Sequence, residues 1–352
     1  MKILVLNRGS STIKCSLYEN FSGSFIHPSS ETTYLPTKKI EGVQAIGHRI
    51  VHGGNHFTKS TLIDDDVKYK IESFAKLAPL HNLTELEDIN KMERLFPGIP
   101  QIAVFDTAFH HTLPEFAYVY PGPYNWLQKG IRRYGFHGIS FQYCARRACE
   151  LLNRDQEGLK LVICHLGAGA SLCAVKDGMS IDTTMGFTAL EGLMMDTRSG
   201  TIDPGILLEL LESKSIKELT HDLYYESGLL GISGIPGGMQ AILTDPSPRA
   251  KLALDIYIHR LISLIGSMIA SLGGIDALIF TAGIGENVPI IRERVSEAFS
   301  FLGLTLEKNT NSPNDQILSS PRSVVKTLII HTKESFEIAK DCFNYKIDVS
   351  GN

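Results

Sequence analysis

The sequence has little of what marks a polyanion-binding or membrane protein. Its 34 lysines and arginines fall short of its 38 aspartates and glutamates, so the formal charge is −4. No basic face for nucleic acid and no polybasic membrane signal follows from that balance. Charged residues make up only 20% of the chain against 43% apolar ones, which supplies large cores and argues against disorder. No CxxC pair occurs among the six cysteines (Cys15, Cys144, Cys149, Cys164, Cys173, Cys342), and several sit inside apolar runs. Reduced, buried thiols and a cytoplasmic location are expected. Long uninterrupted apolar runs are missing too: Leu252 to Phe280 is broken by Asp255, His259, Arg260 and Gly273-Gly274, which predicts a buried helix and a strand, not a membrane span. The run Ile3 to Leu6 is too short for a signal-peptide core. Any anionic ligand must therefore be held by a local arrangement, and 352 residues are most economically two domains.

What is present is a design that occurs twice. Ile3 to Leu17 reads ILVLNRGSSTIKCSL and Leu161 to Val175 reads LVICHLGAGASLCAV. Each is an apolar strand, a turn of small residues and a second apolar strand, and each first strand ends in a polar residue, Asn7 or His165. Gly9, Gly167 and Gly169 permit positive φ and close approach of backbone N–H groups to an anion, and Ser10, Ser11, Thr12 and Ser171 add hydroxyl donors. One such turn is a weak signal; its recurrence points to two related halves, each with a phosphate cradle.

Between and after the copies lie several residues that need an explanation. Arg49 sits in the apolar strand Ala45 to Val51 and must find an anion, either a structural partner or a substrate carboxylate or phosphate. Thr84-x-x-Glu87 reads as a capping box opening a helix to about Phe96, with Leu86, Ile89, Met92 and Phe96 on one face. Asp106 stands at the C-terminal end of the strand Gln101 to Phe105, the edge where α/β sheets bind ligands, although an aspartate there also serves as a turn residue. His137 lies between two glycines ahead of a helix expected from Ser140. Arg198 lies in a glycine-punctuated loop, where a guanidinium can stabilise transferred phosphoryl charge or simply be solvated. Asp276 to Asn287 reads as a strand, a glycine turn and a helix entry suited to phosphate or nucleotide. A closing helix begins near Glu334.

Taken together, these stretches resemble the acetate and propionate kinase family, within the actin-like, sugar kinase and Hsp70-like superfamily. The resemblance rests on Asn7 with GSST, GHRIVHGG (47–54), APLHN (78–82), FDTAFH, YGFHG, HLGAGAS, MGFTALEG, TRSGTIDP, TAGIGEN, and Thr332 with Glu334, all in order along nearly the whole chain. It implies an α/β fold of two related ribonuclease-H-like, actin-like ATPase domains with a cleft between them. The expected division is an acyl-kinase domain over 1–153, joined by the closing helix 335–352, and a nucleotide-binding domain over 154–334. The implied activity is reversible phosphoryl transfer between ATP and acetate, or a related short-chain acid, giving acetyl phosphate and ADP. On the same resemblance Asp106, His137 and Arg198 are catalytic, Arg49, Val51, Leu80 and Ala189 bind the acid, and Asn7 and Glu334 hold Mg²⁺ or Mn²⁺, hard cations suited to oxygen ligands. Lys14, His165, Leu166, Gly167, Ala168, Gly169, Gly283, Ile284, Gly285, Glu286 and Asn287 bind the nucleotide, with Gly238, Met239 and Gln240 as a weaker part. A homodimer with no nucleic-acid or membrane partner is implied as well.

Four features depart from the family pattern. Ala168 stands where an asparagine is usual, Gly238 to Gln240 where an aspartate, an aromatic and an arginine are common, Ala189 where a proline is usual, and Arg8 is uncommon in the first turn. The smaller Ala189 side chain admits a longer acid, and discrimination per methylene is only ~1 to 3 kcal/mol. A propionate kinase, a kinase using another phosphoryl donor, a sugar kinase of the superfamily, and a non-catalytic sensor are the competing readings.

Overall fold

Ile3–Arg8 (β1) and Ile13–Tyr18 (β2) form an antiparallel hairpin, and Lys160–Leu166 (β7) and Ala170–Lys176 (β8) form another. The computed structural model describes residues 1–9, 12–77, 81–307 and 311–350. Around the first hairpin, Ser30–Thr32 (β3), Ala45–Ile50 (β4), Thr61–Leu62 (β5) and Gln101–Phe105 (β6) complete a sheet in the order β3-β2-β1-β4-β6-β5. Around the second, Met179–Thr183 (β9), Ala277–Thr281 (β10), Gln316–Ile317 (β11) and Lys326–Ile329 (β12) give the order β11-β12-β10-β7-β8-β9. The two orders are the same design. In each sheet the hairpin's first strand runs parallel to two later strands, and an antiparallel strand closes each edge. The repeat seen in the sequence is thus a repeat of whole sheets.

Each sheet belongs to its own compact unit. One unit comprises Met1–His111, Phe136–Tyr143 and Lys333–Asn352, and the other Thr112–Gly135 and Cys144–Thr332. The chain passes between the units after residues 111, 135, 143 and 332, where the expected division has a break at 153 and a return at the closing helix. Residues 112–135 stay with the second unit because Arg133 ties them there: its guanidinium donates to the carbonyls of Thr183, Thr184 and Met185 at 3.0–3.1 Å and pairs with Glu191 at 2.8 Å. Glu334 and its helix lie with the first unit.

In the first unit, helix Asn82–Leu95 covers one face of the sheet. Met92 and Phe96 pack on Leu4, Leu6 and Ile46, while Ile89 joins Ile50, Ala103 and Phe105 in an adjoining cluster with Val67 and Ile71. Each such side chain fully buried contributes roughly 1.5 to 3 kcal/mol, which is what holds a helix this short against the sheet. The capping box expected at Thr84 does not open it. The helix starts at Asn82, whose buried side chain donates to the carbonyls of His52 and Ile71 at 3.1 Å and accepts from His52 N at 3.3 Å, so tertiary bonds set its start. The closing helix Glu334–Ser350 packs on β1 and β4.

In the second unit, helix Pro248–Leu272 has the length and apolarity of a membrane span. It packs along β8 and β9 through a stripe that includes Ala250, Ala253, Tyr257, Leu261, Ile265, Met268 and Leu272, and Gly273 at φ 63° ends it. That is the apolar periodicity of a core helix. All six cysteines are free, and five are buried.

The closing helix approaches β4 closely at Gly47, where an added Cβ would lie 2.6 Å from both Cys342 Sγ and Ile338 Cγ2. Gly47→Ala is therefore expected to destabilise the protein by about 1 to 3 kcal/mol through overpacking, read as a lowered thermal midpoint. An unchanged midpoint would show that the helix does not dock there.

Candidate active site

In the first unit the carboxyl ends of the parallel strands β1, β4 and β6 deliver Asn7, Arg49 and Asp106 to one edge of the sheet. The Asp106 N–H continues the ladder to Ile50 O at 2.9 Å, so the residue is fixed directly after the last strand position. Arg49 reaches it with two nitrogens: Nε donates to Asp106 Oδ2 at 3.1 Å, and Nη2 donates to the same oxygen. The remaining Nη1 donates to Arg8 O in the first turn. Asp106 is 1% exposed, and its Oδ1 has no hydrogen-bond partner among the described residues. A guanidinium only 11% exposed needed an anion; Asp106 is that anion.

The electrostatics follow from this burial. Burial pushes the Asp106 carboxyl up, and the Arg49 charge and hydrogen bonds oppose it, with the Glu334 charge adding to the rise. Burial pushes Arg49 down, but the Asp106 charge, the Glu334 charge and the hydrogen bonds to Asp106 more than offset this and hold its pKa above the ordinary value.

His137 joins the same edge. It sits at φ 57°, an uncommon conformation for a non-glycine residue, and its carbonyl accepts Phe141 N at 3.0 Å to start helix Gly138–Leu152. The helix therefore begins two residues before Ser140. Gly138 N donates to Asp106 O at 2.9 Å, and a Cβ at Gly138 would lie 2.2 Å from that oxygen, so only glycine lets the His137 turn lie against Asp106.

Asn7 Nδ2 donates to Glu334 Oε2 at 2.9 Å, which puts an amide and a carboxylate together at the end of β1. No group of three or more His, Cys, Asp and Glu among the described residues could hold a metal by itself. One carboxylate and one amide oxygen fit a Mg²⁺ that keeps waters and takes its other ligands from substrate phosphates. Val51 is buried, with its N–H given to Glu85 Oε2 at 3.1 Å. Leu80, Pro79, Ser10 and Ser11 lie outside the described residues. Lys14, opposite Asn7 on β2, is exposed and pairs with Glu31 on β3 at 3.4 Å.

The second unit presents the remaining candidates. His165 and Leu166 end β7 as buried residues, and Ala168 is exposed at the tip of the turn, its carbonyl accepting Asp196 N at 3.2 Å. Neither turn uses its glycines as the sequence suggested. Gly9, Gly167 and Gly169 are absent from the positive-φ residues, and the N–H groups of Gly9 and Gly167 are bonded within their turns, to Thr12 O at 2.7 Å and Gly169 O at 3.0 Å. These two N–H groups are thus engaged within their own turns.

Arg198 is half-buried in its loop. Nη1 donates to Ala189 O at 2.8 Å, and no ion pair with a carboxylate is found for it among the described residues. Burial lowers its pKa, against smaller contributions from Tyr224 and Tyr225. A guanidinium so placed favours an incoming anion. Gly283 to Asn287 form most of a short helix, Ala282–Asn287, that starts directly at the end of β10 without an intervening glycine turn. Ala282 takes φ 65°, and its N–H is met by Glu286 Oε1 at 2.8 Å. Glu286 Oε1 also accepts Thr332 N at 3.2 Å, which joins the ends of β10 and β12. Gly283 is exposed with open space where a Cβ would be, and Asn287 Nδ2 donates to its carbonyl at 3.0 Å. Gly238, Met239 and Gln240 open helix Gly238–Thr244, with Met239 buried and Gly238 close to the Asp196 carboxylate.

Sequence reasoning missed Glu85 and Asp88. Both are 2% exposed, Asp88 pairs with Arg8 of the first turn, and Glu85 holds Val51. A signal existed: Glu85, Asp88, Ile89 and Met92 follow the i, i+3, i+4, i+7 spacing of one helix face, so the two acids had to point inward with the apolar residues.

Comparison with known proteins agrees with this architecture. A family model, that of the acetokinase family, matches residues 30–340. The chain is 55% identical over 313 residues to an acetate kinase of Rippkaea orientalis, covering 87% of this chain and 78% of that one. It is similar to the crystal structure of Porphyromonas gingivalis acetate kinase with a TM-score of 0.88 and 34% identity, over 98% of this chain and 99% of that one. A propionate kinase from Francisella tularensis gives a TM-score of 0.86 and 36% identity over 97% and 99% of the two chains.

Gly138→Ala is expected to push the His137 turn off Asp106 and so to lower thermal stability by about 1 to 3 kcal/mol and turnover with it. Retention of both, measured by calorimetry and by product formation, would show that this contact does not order the site.

Proposed function

Because the chain belongs to the acetokinase family, we propose that it catalyses Mg²⁺-dependent, reversible phosphoryl transfer between ATP and acetate, giving acetyl phosphate and ADP. The observation that carries this reading is the Arg49–Asp106 pair at the carboxyl ends of the parallel strands, with Asn7 and Glu334 paired at the adjoining strand end. Phosphoryl transfer through a loose transition state needs positioned charge and hydrogen-bond donors more than covalent chemistry, and these residue types supply both.

In this reading Arg49 orients the carboxylate of the acid, held in place by Asp106 and the Arg8 carbonyl. Val51, Leu80 and Ala189 shape the pocket for its alkyl group. His137 and Arg198 offer hydrogen bonds and charge to the oxygens of the transferring group, and among the described residues no carboxylate pairs with Arg198. Asn7 and Glu334 would hold Mg²⁺, which when bound neutralises phosphate charge. Lys14 and residues His165 to Gly169 serve the phosphates, Gly283 to Asn287 the adenosine, with Gly238 to Gln240 contributing less. The acyl functions belong to the first unit and the nucleotide functions to the second. A cytoplasmic homodimer without nucleic-acid or membrane partners completes the proposal. Ala189 favours a second reading, propionate as an alternative acid, since a small side chain leaves room for one more methylene and such a difference is worth only ~1 to 3 kcal/mol.

Arg49→Ala and Arg198→Ala are each expected to raise the barrier by about 3 to 4 kcal/mol, a fall in turnover of roughly two to three decades. Acyl phosphate trapped as the hydroxamate in the presence of ATP and Mg²⁺ measures this. Near-wild-type turnover in either variant would remove that arginine from the reaction.

A further inference from the structure

Glu85 has no task in the reaction as proposed, yet it is built into the acyl half of the site. It lies on helix Asn82–Leu95, is 2% exposed, and gives one oxygen to the Val51 N–H at 3.1 Å. Its other oxygen, Oε1, is buried with no hydrogen-bond partner among the described residues. The charged groups that act on it are Arg49 from β4, Asp106 after β6, and Asp88 one turn along its own helix. Beyond these, Asp88 pairs with Arg8 from β1 and has Lys91 at 3.9 Å on its outer side, and Glu334 of the closing helix acts on Arg49. Two guanidinium groups thus already answer three acids, Asp88, Asp106 and Glu334. A carboxylate at Glu85 would be a fourth, in the place where a substrate anion must also find Arg49.

We propose that Glu85 is a positioning residue for the acyl substrate: as a neutral acid it ties the Val51 backbone to the helix and leaves Arg49 open to the substrate, and as a carboxylate it competes with the substrate for Arg49. The proposal rests on the acyl kinase reading above. Burial pushes the Glu85 carboxyl up to about 8, with Arg49 and the Val51 N–H pulling it down by less. The group is therefore neutral at neutral pH and ionises in mildly alkaline solution. The folded form carries a proton that the unfolded chain has released above its ordinary value of 4.5, so the stability contributed by Glu85 falls as pH rises from there to about 8.

The test uses the full-length protein, Glu85→Gln and Glu85→Ala, with acyl phosphate trapped as the hydroxamate at saturating ATP and Mg²⁺. Between about pH 6.5 and about pH 9 the wild-type KM for acetate is expected to rise roughly tenfold, with kcat changing less. Glu85→Gln, which keeps an oxygen for Val51 N–H but cannot ionise, removes the rise. Glu85→Ala leaves that N–H unanswered and has a raised KM at every pH. A parallel rise in wild type and Glu85→Gln, or no rise in wild type, overturns the proposal. Thermal unfolding provides a readout independent of activity: the midpoint of Glu85→Gln should gain on wild type as pH increases from about 5 to about 8, and a constant difference also overturns it. No acyl phosphate from wild type at any pH would overturn the acyl kinase reading and the substrate role with it, while the unfolding series would still report whether Glu85 ionises in that window.

Discussion

A largely desolvated guanidinium at the edge of the first sheet sets the terms for everything near it. Taking Arg49 out of water carries a desolvation penalty of several kcal/mol, which only well-aligned anionic and carbonyl partners can offset. Asp106 meets Nε and Nη2, and the Arg8 carbonyl meets Nη1. Those contacts bind three strand ends, β1, β4 and β6, to one another. The Asp106 carbonyl then receives Gly138 N, which fixes the His137 turn and starts the next helix. One ion pair thus positions most of the candidate chemistry of its unit.

The two sheets share a strand order, and the same edge is used differently in each. The first unit lines it with charge: Arg49, Asp106, Glu334, and behind them Glu85 and Asp88. The second offers short turns and small residues at the ends of β7 and β10, with Glu286 bonding back to Ala282 N and Thr332 N. The half-buried guanidinium in its TRSG loop, Arg198, bonds a carbonyl and, among the described residues, no carboxylate. The same strand order thus carries charged side chains at this edge in one copy and small residues with local backbone bonds in the other.

Much of this was legible in the sequence because the signals are local. The two hairpins are written as apolar runs around small turns, the core helix Pro248–Leu272 as helical periodicity ended by Gly273, and Asp106 as an aspartate after a β-branched run. What misled were local signals that tertiary bonds overrode. Thr84-x-x-Glu87 has the form of a capping box, but Asn82 is bonded to His52 and Ile71 and the helix starts there. Ser140 has the form of an N-cap, but the bond from Gly138 N to Asp106 O starts the helix earlier. Gly9 and Gly167 have the form of positive-φ turn residues, but neither takes positive φ, and each bonds its N–H within its own turn.

The sequence alone determined the α/β class, the repeat, the identity of the polar residues at the strand ends, and the family, since each depends on residue order and short-range periodicity. Tertiary structure alone decided the partnerships: that Arg49 is answered by Asp106, that Asn7 meets Glu334 from the far end of the chain, that Arg198 bonds the Ala189 carbonyl, that Glu85 holds Val51 and that Asp88 pairs with Arg8. Those facts concern groups tens to hundreds of residues apart. Charge compensation in a buried place is settled by which strands lie side by side, and no local pattern carries that information.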